Sequence, residues 1–456
     1  MQSGIVLHQR RLACRGFNMK LKCQALFAFV LAYSLSPSPA HAQFSQQAKL
    51  VGTGAIGSAI QGTSVTLSRD GNTAGFGGPN DDKGIGAAWV FTRSHGEWRQ
   101  QTKLVGTGVI GNRASQGYSV SLSGDGNTVV VGGPVDNRNT GAVWVFTRSG
   151  DVWRQEGKLV GAGSVGKSYQ GWSAAISSDG NTIIVGGPYD NNGIGAAWVF
   201  AHSPGGWRQQ AKLVGRGALG PAAQGFSVAL SGDGDTAIVD GFSDYFGHFG
   251  PPVGAAWVFT RSQGVWSQRT KIVGALGSVS LSDDGKTTMV GAIGYHQSVA
   301  RVLTRARGVW RRETMLVGVN GQESLSGNGD RAMIAEEGVR SGNDTGAALV
   351  FARLRDAWRR QARLTGSGEI TKGGVSVSLS GDGNIAMIGQ PDSDNFAGAA
   401  WVFAPIFAGA PGRADCFGGS VAALTQQYSG LNPAATALGY SNVPALQGAI
   451  RMFCAR

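Results

Sequence analysis

From residue 44 to residue 404 the apolar and polar positions of the chain recur as four short runs in a fixed order. In the second copy these are "GYSVSLS" (117 to 123), "VVVGG" (129 to 133), "GAVWVFTR" (141 to 148) and "VWRQEGKLVG" (152 to 161), here called A, B, C and D. Run C is apolar on both alternating sides, as in "GAAWVFTR", where Ala87, Trp89 and Phe91 face one way and Ala88 and Val90 the other. A strand of that kind is covered on both faces. Run D mixes Trp98 and Leu104 with Arg99, Gln100, Gln101 and Lys103, the pattern of an outer edge whose charges discourage further pairing. Between A and B stands "GDGNT" or a variant ("RDGNT" at 69, "SDGNT" at 178, "GDGDT" at 232, "DDGKT" at 283, "GDGNI" at 381). Asp-Gly and Gly-Asn supply the positive φ that a tight hairpin needs. Each copy is therefore a small antiparallel sheet with A and D at its two edges.

Run C occurs at 86, 141, 195, 254, 299 (degenerate), 346 and 398, which predicts seven sheets. The seventh has A, B and C but no D, and an unattached D-like run, "FSQQAKLVG", stands at 44 to 52. Complementary fragments at the two ends predict a closed ring, a seven-bladed β-propeller spanning 43 to 404, with strand A inside, strand D outside and the N-terminal strand completing the last blade. An open solenoid of the same sheets would carry capping repeats in their place.

The flanks differ in composition. Lys20 and Lys22 precede an apolar run from Ala25 to Leu35 and the small-residue stretch Ala40, His41, Ala42, the pattern of a secretory signal over residues 1 to 42, with Met19 an alternative start. The run is too short for a retained membrane anchor. Loss of that segment removes Arg10, Arg11, Arg15, Lys20 and Lys22 and lowers the net charge from +12 to +7. The remaining cations sit largely at repeat positions such as Arg99, Arg154 and Arg208, an outer belt and not a nucleic-acid groove. After a linker at 405 to 415, apolar spacings of three and four with Asn432, Pro433 and Asn442, Val443, Pro444 as start signals predict two or three short helices in a tail at 416 to 456. Its Cys416 and Cys454 are the cysteines left after export, and one disulfide is the simplest use of them in an oxidising compartment.

The "G-aromatic-S-V" of run A (Gly117, Tyr118, Ser119, Val120; Gly225, Phe226, Ser227, Val228), "VGGP" after run B and "GAAWVF" together resemble the FG-GAP repeats of integrin alpha chains and many exported bacterial proteins. The resemblance covers residues 44 to 404 and implies the propeller, but no particular activity. Integrin-type repeats often hold calcium between A and B. Here that link has one Asp, too few oxygens for the ion. The B to C loops are richer, and Asp81, Asp136, Asp190, Asp392 and Asp394 are either metal ligands or turn formers; no other cofactor is indicated.

Long B to C and D to A connections share one face of the ring, where ligand contacts are expected. The outlying stretch 240 to 254 places Phe242, Tyr245, Phe246, His248 and Phe249 beside Asp244, a set suited to a sugar or peptide, or to packing on itself over the channel mouth. Catalytic residues are not expected, because no Ser, His and acid grouping surrounds His95, His202, His248 or His296. Trp98, Trp153, Trp207, Trp266, Trp310 and Trp358 read as sugar platforms or, more commonly for such residues, as fillers of the gap between blades. The expectation is a secreted or periplasmic, non-catalytic binding scaffold for a protein or glycan partner, without nucleic-acid contact or a membrane span after signal cleavage. The alternative is a lectin or carbohydrate-active enzyme.

Overall fold

A computed structural model describes residues 44–94, 96–244, 254–275, 277–293, 298–318, 322–336, 347–354, 357–367, 375–405, 416–428, 430–437 and 442–454. The signal segment and the 405 to 415 linker beyond Pro405 lie outside these residues. The strands form seven four-stranded antiparallel sheets, each in the order A-B-C-D. Blade two has strands Ser119–Leu122, Thr128–Gly133, Ala142–Ser149 and Val152–Leu159, and the other blades follow the same plan. In the seventh blade Ser376–Leu379, Ala386–Gln390 and Ala399–Pro405 are completed by Phe44–Leu50, whose register runs from Phe44 opposite Pro405 to Leu50 opposite Ala400. The ring closes as the complementary ends require.

Each core lies between blades. Leu50, Trp89, Phe76 and Phe91 of the first seam pack with Ile385, Met387, Ala400 and Val402 of blade seven. Strand C contributes to both neighbouring seams, so its buried Trp89, Trp144, Trp198, Trp257 and Trp401 reach one way while Ala88 and Val90 and their equivalents reach the other. The inner strands meet through hydroxyls: Thr66, Ser121, Ser227, Ser324 and Ser378 each accept a backbone N–H of the adjacent blade. Alternating serine along "SVSLS" therefore serves as inter-blade glue.

Backbone hydrogen bonds complete a second ring at the A to B turns. Arg69 N donates to Gly124 O, Gly124 N to Ser178 O, Asp179 N to Gly232 O, Gly232 N to Asp283 O, Asp283 N to Gly327 O, Asn328 N to Gly381 O and Gly381 N to Arg69 O. Within the turns, Asp70, Asp125 and Asp382 each accept from a serine hydroxyl two residues earlier and from the backbone N–H two residues later. Burial pushes the Asp70 and Asp125 carboxyls up, but those hydrogen bonds outweigh it and hold both below the usual carboxylate range. These carboxylates are spent on their own turns.

The rim tryptophans fill the seams. Trp98, Trp153, Trp207, Trp266, Trp310 and Trp358 are partly buried against the inter-blade cores. Trp153 donates to Gln101 and Trp266 to Gln210 of the preceding blade, each at 2.8 Å, and Arg148 and Arg261 cover their rings. The tail forms α1 (Cys416–Tyr428), α2 (Leu431–Ala437) and α3 (Val443–Cys454), packed around Leu424, Ala434, Leu446 and Ile450. Asn442 caps α3 by accepting the Ala445 N–H at 2.8 Å, and Cys416 is bonded to Cys454. Among the described residues no helix is long and apolar enough to cross a membrane.

Candidate functional site

The long-loop face is built from two kinds of connection, the D to A linkers and the B to C loops, and the described ones are held by repeated contacts. Each of the D to A linkers that lead into blades one to four is pinned by a buried glutamine that clasps one backbone residue from both sides. Gln116 accepts from Gly106 N at 2.5 Å and donates to Gly106 O at 2.9 Å, and Gln61, Gln170 and Gln224 repeat the clasp. The B to C loops of blades one, two, three and seven turn through two consecutive left-handed residues, Asp82 and Lys83, Asn137 and Arg138, Asn191 and Asn192, and Asp394 and Asn395. Asp and Asn tolerate that conformation better than other side chains, which explains their recurrence there.

Of the aspartates expected from sequence to be metal ligands or turn formers, Asp394 takes a left-handed turn position, and three others hold the loop to its neighbours. Asp81, Asp136 and Asp190 are buried, and each accepts a linker N–H (Ile56, Ile110, Val165) on one oxygen. The other oxygen meets a strand D lysine: Lys103 at 2.5 Å, Lys158 at 2.6 Å and Lys212 at 2.6 Å. The same ammonium groups lie 5.4, 5.1 and 5.2 Å from the rings of Trp89, Trp144 and Trp198. The cation these carboxylates hold is the protein's own. In blade seven Ser393 takes the buried place, and Asp394, half exposed, pairs with Lys49 at 2.7 Å; Asp392 stands outside that pair. Among the described residues no group of three or more His, Cys, Asp or Glu is arranged to hold a metal ion.

Asp244 belongs to the same series. It is buried, accepts the Leu219 N–H at 2.6 Å and pairs with Lys271 at 2.5 Å, because the outlying loop begins at the repeat's structural aspartate. Of its aromatic neighbours, Phe242 is exposed at the loop face, while Tyr245, Phe246, His248 and Phe249 lie outside the described residues.

Phe242 ends an aromatic strip that runs across blades two to four. Its ring is 4.7 Å from that of Phe226, Phe226 is 5.7 Å from Trp172, and Trp172 is 4.8 Å from Tyr118. Tyr118, Trp172 and Phe226 occupy one equivalent strand A position, where blades one, five and seven carry Thr63, Gly277 and Val375. Tyr169 and Tyr189 add a second row, 5.0 Å apart and 6.4 and 5.7 Å from Trp172. Together with Lys167 and Asn192 they wall a cleft of 690 Å³. Burial, with the neighbouring Tyr189 adding to it, pushes the Tyr118 phenol up to about 12, so the strip stays uncharged at any ordinary pH. Flat, partly exposed rings beside a lysine and an amide make a surface that stacks on a ring or apolar group and orients it by hydrogen bonds. Sequence reading used Tyr118 and Phe226 only as a repeat signature and missed the cleft, though their confinement to three adjacent blades was visible.

A second hollow, 770 Å³, opens at the A to B turns. Arg69 of blade one pairs with Asp283 of blade five at 3.2 Å, and Asp283 also accepts from Ser178 of blade three at 2.9 Å. These contacts tie three non-adjacent blades across that mouth, so its charged groups already serve the ring.

No family model matches the chain, and no curated protein sequence matches it. Among solved structures it is similar to the Kuenenia stuttgartiensis hydrazine synthase, with 15% identity over 78% of this chain and 98% of that one at a TM-score of 0.48. It is also similar to the Pseudomonas aeruginosa periplasmic gluconolactonase, with 18% identity over 67% of this chain and 84% of that one at 0.47. A Lactobacillus plantarum protein shares 12% identity over 71% of this chain and 90% of that one, also at 0.47.

Proposed function

We propose that the chain is an exported, non-catalytic binding protein built from FG-GAP-type repeats, which contacts a protein or glycan through its long-loop face. The observation that carries this reading is the cleft walled by Tyr169, Trp172 and Tyr189, which fall in one sector of an otherwise repeating surface. Rings that served only to pack the ring of blades would recur in all seven. Pinned linkers beneath the cleft favour binding, since little ordering entropy is lost on contact. The Cys416–Cys454 disulfide supports an oxidising destination. Lys167 and Asn192 beside open aromatic faces favour a sugar ring as one ligand class.

Purified protein probed on a glycan array and a peptide array should bind on at least one of them. Trp172→Ala and Tyr189→Ala should each weaken that binding by about tenfold or more, as for a buried aromatic anchor. Binding indifferent to both substitutions would move the contact surface elsewhere. Turnover of a glycan panel would place the protein among carbohydrate-active enzymes instead.

A further inference from the structure

Blades five and six break the repeat in a coordinated way. The D to A linker that covers the inner strands in blade two spans 105–118, but the corresponding links are only 274–278 before blade five and 319–322 before blade six. Beneath this shortened cover two acids replace residues of opposite character. Asp240 pairs with Ser227 on the register that places Gly132 opposite Ser119 and Gly389 opposite Ser376. At Gly132 a methyl group would overlap the Ser119 hydroxyl and the Gly171 carbonyl of the next blade, so Asp240 places a side chain where the sister blades keep the strand bare. Glu323 pairs with Ile334 where Val120 pairs with Val131.

The two carboxyls converge on one short segment. Asp240 Oδ2 accepts the Gly277 N–H at 3.2 Å, and one oxygen of Glu323 accepts the Ser278 hydroxyl. In blades two, three and seven the equivalent serines, Ser119, Ser173 and Ser376, donate instead to a glycine carbonyl of the next blade. Asp240 is 0% and Glu323 8% exposed, and the second oxygen of each, Oδ1 and Oε1, is buried without a partner. An orphaned carboxylate oxygen in such a place is costly, and sister blades show that the fold itself needs no acid at either position.

We infer that Asp240, Ser278 and Glu323 form a binding site for a hard divalent cation at the seam of blades four, five and six. The donors are all oxygen, two of them carboxylates, which is the set that calcium or magnesium selects over softer metals. The site is distinct from the A to B turns, whose aspartates are spent on their own hydrogen bonds. It also differs from the lysine-paired B to C aspartates in having no cation of the protein's own. Among the described residues neither Asp240 nor Glu323 forms an ion pair, and the half-buried Arg301 of blade five pairs with neither. Burial, only partly offset by the Gly277 and Gly241 N–H groups, pushes the Asp240 carboxyl up to about 7. Burial pushes Glu323 to about 8, with the charge of Asp240 adding to the rise. A bound dication supplies the positive charge that both lack.

The test uses the whole protein stripped with a chelator and dialysed. Calcium chloride at pH 8 should raise the melting temperature by about 3–5 °C at saturation, and isothermal titration should give about one site per chain. Glu323→Gln and Asp240→Asn should each weaken binding by about tenfold or more, whereas Asp382→Asn, in an A to B turn, should leave it unchanged. No heat and no thermal shift in the unaltered protein with calcium or magnesium up to about 5 mM would overturn the inference, because the pair would then be held by protons alone. A full response surviving in Glu323→Gln would also overturn it, by placing the ion elsewhere.

Discussion

A chain trimmed to begin at Val51 should lose cooperative folding or melt at least 10 °C or so below the intact protein, a loss on the order of 5 kcal/mol or more. The size follows from what Phe44–Leu50 contributes. Its Leu50 is buried in the seam core, and its backbone pairs with strand C from Ala400 to Pro405, with one bulge between Gln46 and Ala48. Gln46 exchanges two hydrogen bonds of 2.8 Å with Ser367, Lys49 pairs with Asp394, and Arg331 covers the Phe44 ring. Removal also uncovers the edge of "AAWVFAP", every residue of which is buried in the intact protein. An apolar strand edge of that kind pairs with other chains, so the trimmed protein should also run large by size exclusion. Calorimetry together with chromatography reads both effects. A synthetic peptide of residues 43 to 52 added in trans should restore part of the loss. A trimmed chain that melts with the intact one would mean that closure contributes nothing to stability.

The closure was legible because repetition writes each blade several times over: the unattached "FSQQAKLVG" could be recognised as strand D only by comparison with six better copies. The all-β architecture and the tight A to B turns were legible for the same reason, since "GDGNT" constrains the backbone locally. The Asp81 to Lys103 pairing was not read, because it joins residues on different connections whose approach depends on how strand D lies over strand C. A signal for it existed within the chain. Blade five has Met315 at the lysine position, and in blade six Arg363 stands there and meets Glu336, on the register of Gly78 and not of the loop aspartate, at 2.7 Å. Where the lysine becomes an arginine, the acid it meets is a different one. Asp244 was grouped with its aromatic neighbours for a related reason, because they drew attention from the register that makes it the fourth structural aspartate. The Asp240 and Glu323 convergence was illegible, since it brings together residues from three blades.

The buried pair sets the second large expectation. Asp136→Ala should destabilise the protein by about 3–5 kcal/mol, the usual result of leaving one member of a buried ion pair alone. Lys158 would keep its charge with its side chain only 15% exposed, over the Trp144 ring, and the Ile110 N–H would lose its acceptor. Asp136→Asn should cost less, since an amide oxygen can still accept from Ile110 while the lysine is left unneutralised. Blade five indicates the remedy. There a methionine, Met315, stands at the lysine position, so Lys158→Met in the Asp136→Ala background should recover roughly half of the loss by removing the stranded charge. A double-mutant cycle followed by chemical denaturation measures the coupling directly, with an expected interaction of about 2 kcal/mol. Single and double variants of equal stability would mean that the lysine finds water as readily as it finds the aspartate. The loops under the aromatic cleft would then be held by the Gln116 clasp and its equivalents, not by charge.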